Sequence, residues 1–159
     1  KSIPDVRLVI VGSPFFGAVS NDPFLKMLKN RAKKLGDAVS FTGYIDRSLL
    51  PQYYGAADVT VLPSLFPDPF PKVVLESMAS GTPIIASKRG GIPEAIDHGI
   101  DGHLIDNPND PKEIAHWICD LLSNRAKREQ MGIEARHKIE TKFTLAKRLA
   151  HFKRFYNTL

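Results

Sequence analysis

The 159-residue chain has one cysteine, Cys119, so no disulfide can close within it and a scaffold of small cross-linked loops is excluded. A reducing compartment is the simpler setting, and Cys119 reads as a small residue at the edge of a core. No apolar run approaches the ~20 residues that a membrane-spanning helix needs, and the first residues lack the charged and apolar regions of a signal peptide. Internal repeats, linkers and low-complexity tracts are also missing. There is no Asp-x-Asp cluster and no His/Cys ligand set, and His98 and His103 are too isolated in type to suggest a metal site. The chain opens with Lys1 rather than Met, and a strand-like run follows within a few residues, which reads as a piece of a longer polypeptide.

What is present fits one globular domain over 1–159. A hydrophobic content of 43% can bury one sizeable core, and the length is short for two ordinary domains. Lys and Arg total 22 against 17 Asp and Glu, a formal charge of +5 that favours phosphates, nucleic acid or an acidic membrane surface as partners. Much of the excess lies near the C-terminal end, from Arg125 to Arg154, among helix-forming residues. The plain reading there is a solvated helical face rather than a membrane or nucleic-acid patch.

The order of patterns points to an α/β fold. "VRLVIVG" is a short apolar run ended by Gly12, the pattern of a parallel strand buried on both faces. A loop, "SPFFGAVSNDP", precedes a helix from Phe24 to Leu35, with Gly36 as its stop. Strands at "VSFTG", "VTVLP" and "PIIAS" then alternate with helices from about Leu49 to Ala57 and about Pro71 to Ser80. A short helix near Ile92 to Ile96 and a strand "GHLI" follow. Alternation of this kind predicts a parallel sheet with helices on both faces. Asp110, Pro111 and Glu113 mark the start of a helix whose Ile114, Trp117, Ile118, Leu121 and Leu122 form one apolar stripe, so Trp117 reads as core. Two more helices are expected over Ala126 to Lys142 and Leu145 to Tyr156.

Within "LPSLFPDPFPKVVLESMASGTPIIAS", Asp68 sits in a loop stiffened by Pro67, Pro69 and Pro71, and Glu76 sits in an apolar helix. At about 100° per residue, placing Lys72 at 0° puts Glu76 at about 40°, Ser80 at about 80° and Ser77 at about 140°, a narrow polar stripe. One reading is an ordinary i,i+4 pair of Lys72 with Glu76 on a solvated face. The other is a ligand site. In an open α/β sheet, ligands collect at the carboxyl ends of the strands, where helix N-termini present unpaired N–H groups. A phosphate at the backbone of Phe70, Pro71, Lys72 and Val73, ribose hydroxyls on Glu76 and a second sugar on Asp68 would suit a nucleotide sugar.

These residues resemble the C-terminal, donor-binding half of a GT-B glycosyltransferase, particularly the retaining glycosyltransferase family 4. The family pattern, an acid, seven residues and then Glu, reads here "DPFPKVVLE" followed by "SMASGTPIIAS". The likeness continues through "LVIVG", "VSFTGYI", "AADVTVLPS" and "GGIPEAIDHGIDGHLI" to the terminal helices.

The resemblance implies a Rossmann-like parallel sheet with a helical C-terminus, lacking its first strand and helix, and a strand absent from that order would have been central. It implies a UDP- or GDP-sugar donor, an acceptor that the sequence does not name, and no nucleic acid. It also implies an absent N-terminal acceptor domain and chemistry without a metal or other cofactor. Glu76 would bind the donor ribose, and Asp68, the catalytic residue, would orient the transferred sugar. Phe70, Pro71, Lys72 and Val73 would meet the diphosphate, while Tyr44 and Ile45 would line the base pocket and Gly12 would lie by the donor. Arg89, Gly90, Gly91 and Glu94 would form either an adjoining loop or a plain turn and helix cap. The location implied is cytoplasmic, with peripheral contact at the cytoplasmic face of a membrane left open.

Asp68 stands where the family usually has Glu, and Pro71 where it has Gly, which removes one N–H from the diphosphate site. The family's upstream Arg and Lys for the diphosphate precede this stretch, so the chain alone is expected to bind donor poorly and to catalyse nothing. Other readings are a nucleotide-sugar epimerase or a phosphorylase on the same architecture, and a non-catalytic nucleotide-binding module.

Overall fold

A computed structural model describes residues 3–13 and 22–157. The loop expected after Gly12 falls mostly outside them. The chain divides into two compact units, Lys1–Leu50 and Pro51–Leu159.

In the first unit, β1 (Leu8–Val11) and β2 (Val39–Gly43) pair in parallel, with Leu8 opposite Val39 and Ile10 opposite Phe41. Helix α1 (Pro23–Ala32) starts where Asp22 accepts from the amides of Phe24 and Leu25 at 2.7 and 3.0 Å, with Pro23 in its first turn. The helix expected to continue to Leu35 tightens into a 3-10 segment at Lys33–Ala38, and Gly36 breaks it at φ 56°. β1 differs from the expectation of a strand buried on both faces, since Leu8, Val9 and Val11 are 49%, 48% and 41% exposed. Its only ladder neighbour among the described residues is β2, and an apolar run is covered only where other elements flank it.

In the second unit, β3 (Thr60–Leu62), β4 (Ile84–Ser87) and β5 (His103–Ile105) form a parallel sheet in that order. The described strands therefore form two sheets, one in each unit, where the sequence predicts one. α2 (Leu50–Ala56), α3 (Lys72–Ala79), α4 (Ile92–Ala95), α5 (Pro111–Ser123), α6 (Arg125–Lys142) and α7 (Leu145–Tyr156) complete the chain.

β4 is buried along its whole length and serves two cores by alternation. Ile84 and Ala86 pack with Val74 and Met78 of α3, Ile92 and Ala95 of α4, and Ala135 of α6. Ile85 packs with Ile105, with Leu121 and Trp117 of α5 and with Met131. Helices thus cover both faces of this sheet, the α/β arrangement expected from the sequence, and the half-buried Trp117 packs against the core.

Two contacts fix α6. A Cβ on Gly132 would overlap the carbonyl oxygen of Gly81, so a glycine lets α6 approach the end of α3. The buried Lys138 ammonium lies 2.8 Å from Asp97 and 2.7 Å from Asp101. Burial works against its charge, but the bonds to Asp101 and Asp97 hold its pKa above the ordinary value. α7 is capped by Thr144 and leaves Leu145, Leu149 and Phe152 exposed.

Candidate functional site

The carboxyl ends of β3 and β4 each feed a loop. After Leu62, the chain runs through Asp68 to α3; after Ser87, it turns through Arg89, Gly90 and Gly91 into α4. The two loops are joined, because the amide of Gly91 donates to the carbonyl of Asp68 at 3.0 Å. There is no room for side chains at the glycine pair. A Cβ on Gly90 would overlap the carbonyl oxygen of Asp68, and one on Gly91 would overlap that of Pro69 and press on the Phe70 ring. Gly90 also needs a φ of 52°.

Asp68 is exposed and its carboxylate accepts from the Phe70 amide at 2.9 Å. One backbone donor expected to face a phosphate is therefore held by Asp68 itself. The Phe70 side chain points inward, packs on the β4 core and lies 5.8 Å from the Phe143 ring. Pro71 is the N-cap residue of α3 at φ −69° and ψ 125°, one position before the helix expected to begin with it. No side chain caps the first turn, which leaves Lys72 and Val73 at the helix start, Lys72 exposed and Val73 half-buried.

Glu76, one turn further, is half-buried, and its Oε2 accepts from the Tyr54 hydroxyl at 3.1 Å. Among the described residues Lys72 forms no ion pair with it, so the i,i+4 alternative does not hold. Burial and the adjacent Glu76 carboxylate raise the Tyr54 hydroxyl above its ordinary pKa, so it stays a donor. Tyr54 is a partner of Glu76 that sequence reasoning missed, since nothing in hydrophobic periodicity relates positions 22 residues apart.

In the first unit, Gly12 follows β1 at φ 121° and its amide donates to the carbonyl of Gly43 at 3.1 Å. Tyr44, 55% exposed, and the half-buried Ile45 come directly after β2. These three therefore stand at the carboxyl ends of the β1 and β2 ladder.

A cavity of about 380 Å³ lined by Ala57, Asp58, Gly81, Pro83, Arg125 and Arg128 holds none of the predicted residues. Its Asp58 and Pro83 precede β3 and β4, so it opens at the amino edge of the sheet, opposite the loops above. Among the described residues no three His, Cys, Asp or Glu side chains gather as metal ligands, and no helix is long and apolar enough to cross a membrane.

Residues 1–138 match the family described as glycosyl transferases group 1. The chain belongs to the group 1 glycosyl transferases. This glycosyl transferase domain is 38% identical over 140 residues to spore coat protein SA of Bacillus subtilis, covering 88% of the chain and 37% of that protein. It is 36% identical over 129 residues to the D-inositol 3-phosphate glycosyltransferase of Mycolicibacterium vanbaalenii, covering 76% of the chain and 28% of that protein. The crystal structure of Anabaena Alr3699/HepE in complex with UDP superposes at a TM-score of 0.88 with 28% identity, over 99% of the chain and 42% of that protein. The same Anabaena protein has been solved with UDP-glucose. The domain thus spans less than half the length of these relatives, and its fold is that of the C-terminal, Rossmann-like half of a GT-B protein.

Proposed function

We propose that this domain is the donor-binding part of a retaining glycosyltransferase of family 4, which moves a hexosyl group from a UDP- or GDP-sugar to an acceptor. The observation that carries the reading is the junction of the Asp68 loop, the uncapped start of α3 and Glu76 at the carboxyl edge of the sheet. A carboxylate one turn inside the helix suits vicinal ribose hydroxyls, because an ionised acceptor makes short, strong bonds to O–H donors. The helix start suits the diphosphate, whose charge is met by N–H groups and the helix dipole. Asp68 would orient the transferred sugar. The Anabaena relative's complexes with UDP and UDP-glucose support a uridine nucleotide as donor.

In the whole protein, basic side chains supplied from outside 1–159 would share the diphosphate charge, so the transfer would need no metal. An acceptor-binding half would complete the cleft, with Gly12, Tyr44 and Ile45 reserved for the donor's nucleoside end. The domain by itself would be inactive. A cytoplasmic enzyme fits the lone cysteine and the use of nucleotide sugars.

The test is transfer by the full-length protein from a panel of UDP- and GDP-sugars in EDTA, with the product anomer read by NMR. The reading requires one donor to be used, unaffected by the chelator, with its anomeric configuration kept. Inversion would refute the retaining mechanism, and no transfer or donor binding with any nucleotide sugar would refute the donor site.

A further inference from the structure

The reading of Glu76 as the ribose acceptor rests on a side chain with several free torsions being held in one place. We propose that Tyr54 is the positioning residue for Glu76, a fixed hydroxyl that aims the carboxylate at the ribose and so sets the preference for ribonucleotides. This inference rests on the donor-site reading above and extends it to a residue outside the acidic motif.

Tyr54 is suited to the task because a polar network holds its backbone beside α3. The Tyr54 carbonyl accepts from the Thr82 hydroxyl at 2.7 Å. The Thr82 carbonyl in turn accepts from the buried Ser77 hydroxyl at 2.9 Å, and the Ser77 and Thr60 hydroxyls lie 2.9 Å apart. Ser77 is the residue after Glu76 on α3, and Thr60 opens β3. The network therefore ties α2, which carries Tyr54, to the end of α3, to β3 and to the turn before β4. A shift of the Tyr54 backbone relative to α3 would strain these buried and half-buried bonds.

A phenol suits this position better than a basic residue would. It donates one hydrogen bond to the carboxylate and brings no charge of its own, and an ionised carboxylate has roughly four acceptor positions. The raised pKa of Tyr54 keeps that proton on the phenol throughout the working range.

The experiment measures binding of UDP and GDP, each beside its 2′,3′-dideoxy counterpart, to full-length wild type, Tyr54→Phe, Glu76→Gln and the double variant by calorimetry. Thermal stability is recorded in parallel. Wild type should prefer the ribo form of its nucleotide, and Glu76→Gln should erase that preference. Tyr54→Phe should cut the preference about threefold to tenfold, the size of one modest hydrogen bond, while binding of the dideoxy form stays unchanged. The double variant should behave as Glu76→Gln alone.

If Tyr54→Phe weakens both forms equally, or keeps the full preference while Glu76→Gln loses it, the positioning role is refuted and the ribose reading survives. If Glu76→Gln keeps the preference, or wild type shows none, the ribose reading fails and this inference fails with it.

Discussion

The Gly91 amide donates to the Asp68 carbonyl at 3.0 Å across a gap too narrow for a methyl group on either Gly90 or Gly91. Gly91 has an ordinary φ of −84°, so an alanine there is opposed by space and not by backbone strain. Gly91→Ala should therefore push the Asp68 loop away, costing about 1 to 3 kcal/mol of stability as overpacking does. Donor KM should rise with it. A melting curve beside donor kinetics checks this, and unchanged values for both would mean that the loops are not mechanically joined.

Glu76 and Asp68 are given different tasks, so their variants should separate. Glu76→Gln removes a charged acceptor for ribose and should weaken donor binding by about 1.5 to 3 kcal/mol, a rise in KM. Asp68→Asn should lower kcat more than it raises KM, because the sugar's orientation matters most as the bond breaks. Steady-state kinetics with both variants would expose the opposite pattern or none.

His103 gives the fold a sensitivity to acid. It is 1% exposed and stacked on Trp117 at 4.0 Å, with its Nε2 3.5 Å from the Asp120 carboxylate. Burial first, then Lys127 and His98, lower its pKa from 6.5 to about 4, with Asp120 opposing. Between those values the unfolded chain holds a proton that the folded chain does not. Stability should therefore be complete above about pH 6.5 and fall as pH drops toward 4. Urea unfolding at pH 7 and 4.5 should show the loss in wild type and a smaller one in His103→Phe. Equal losses would assign it to other groups.

Lys138 neutralises Asp101, which is buried with it. Lys138→Met should destabilise by about 3 to 5 kcal/mol, since the buried Asp101 keeps the Asp97 amide at 2.7 Å but loses its counter-charge. Adding Asp101→Asn should recover part of that loss in denaturant titrations.

Much of this is legible in the sequence. The Asp110 and Pro111 start of α5 and its apolar stripe are local signals, and the structure agrees with both. Glu113 illustrates the limit. It looked like a first-turn acid, yet its two oxygens accept from the amides of Asp106 and Asn107 at 2.9 Å each, stitching the end of β5 to α5. Asp68 and Glu76 stood out because acids are unexpected beside prolines and inside an apolar helix. Tyr54, Gly91 and Lys138 did not, because each acts on a residue that only the fold brings near. The exposure of β1 was also hidden, since an apolar run states what a strand can bury but not what covers it.

The central claim is that a nucleotide sugar binds along the start of α3 with its ribose on Glu76 and its transferred sugar by Asp68. A crystal structure of the full-length protein with a slowly hydrolysed UDP- or GDP-sugar tests it directly. The account predicts ribose hydroxyls within hydrogen-bond distance of the Glu76 carboxylate, the diphosphate at the Lys72 and Val73 amides, and the hexose beside Asp68. A nucleotide bound with its ribose away from Glu76, or at the amino edge of the β3 to β5 sheet, would contradict it.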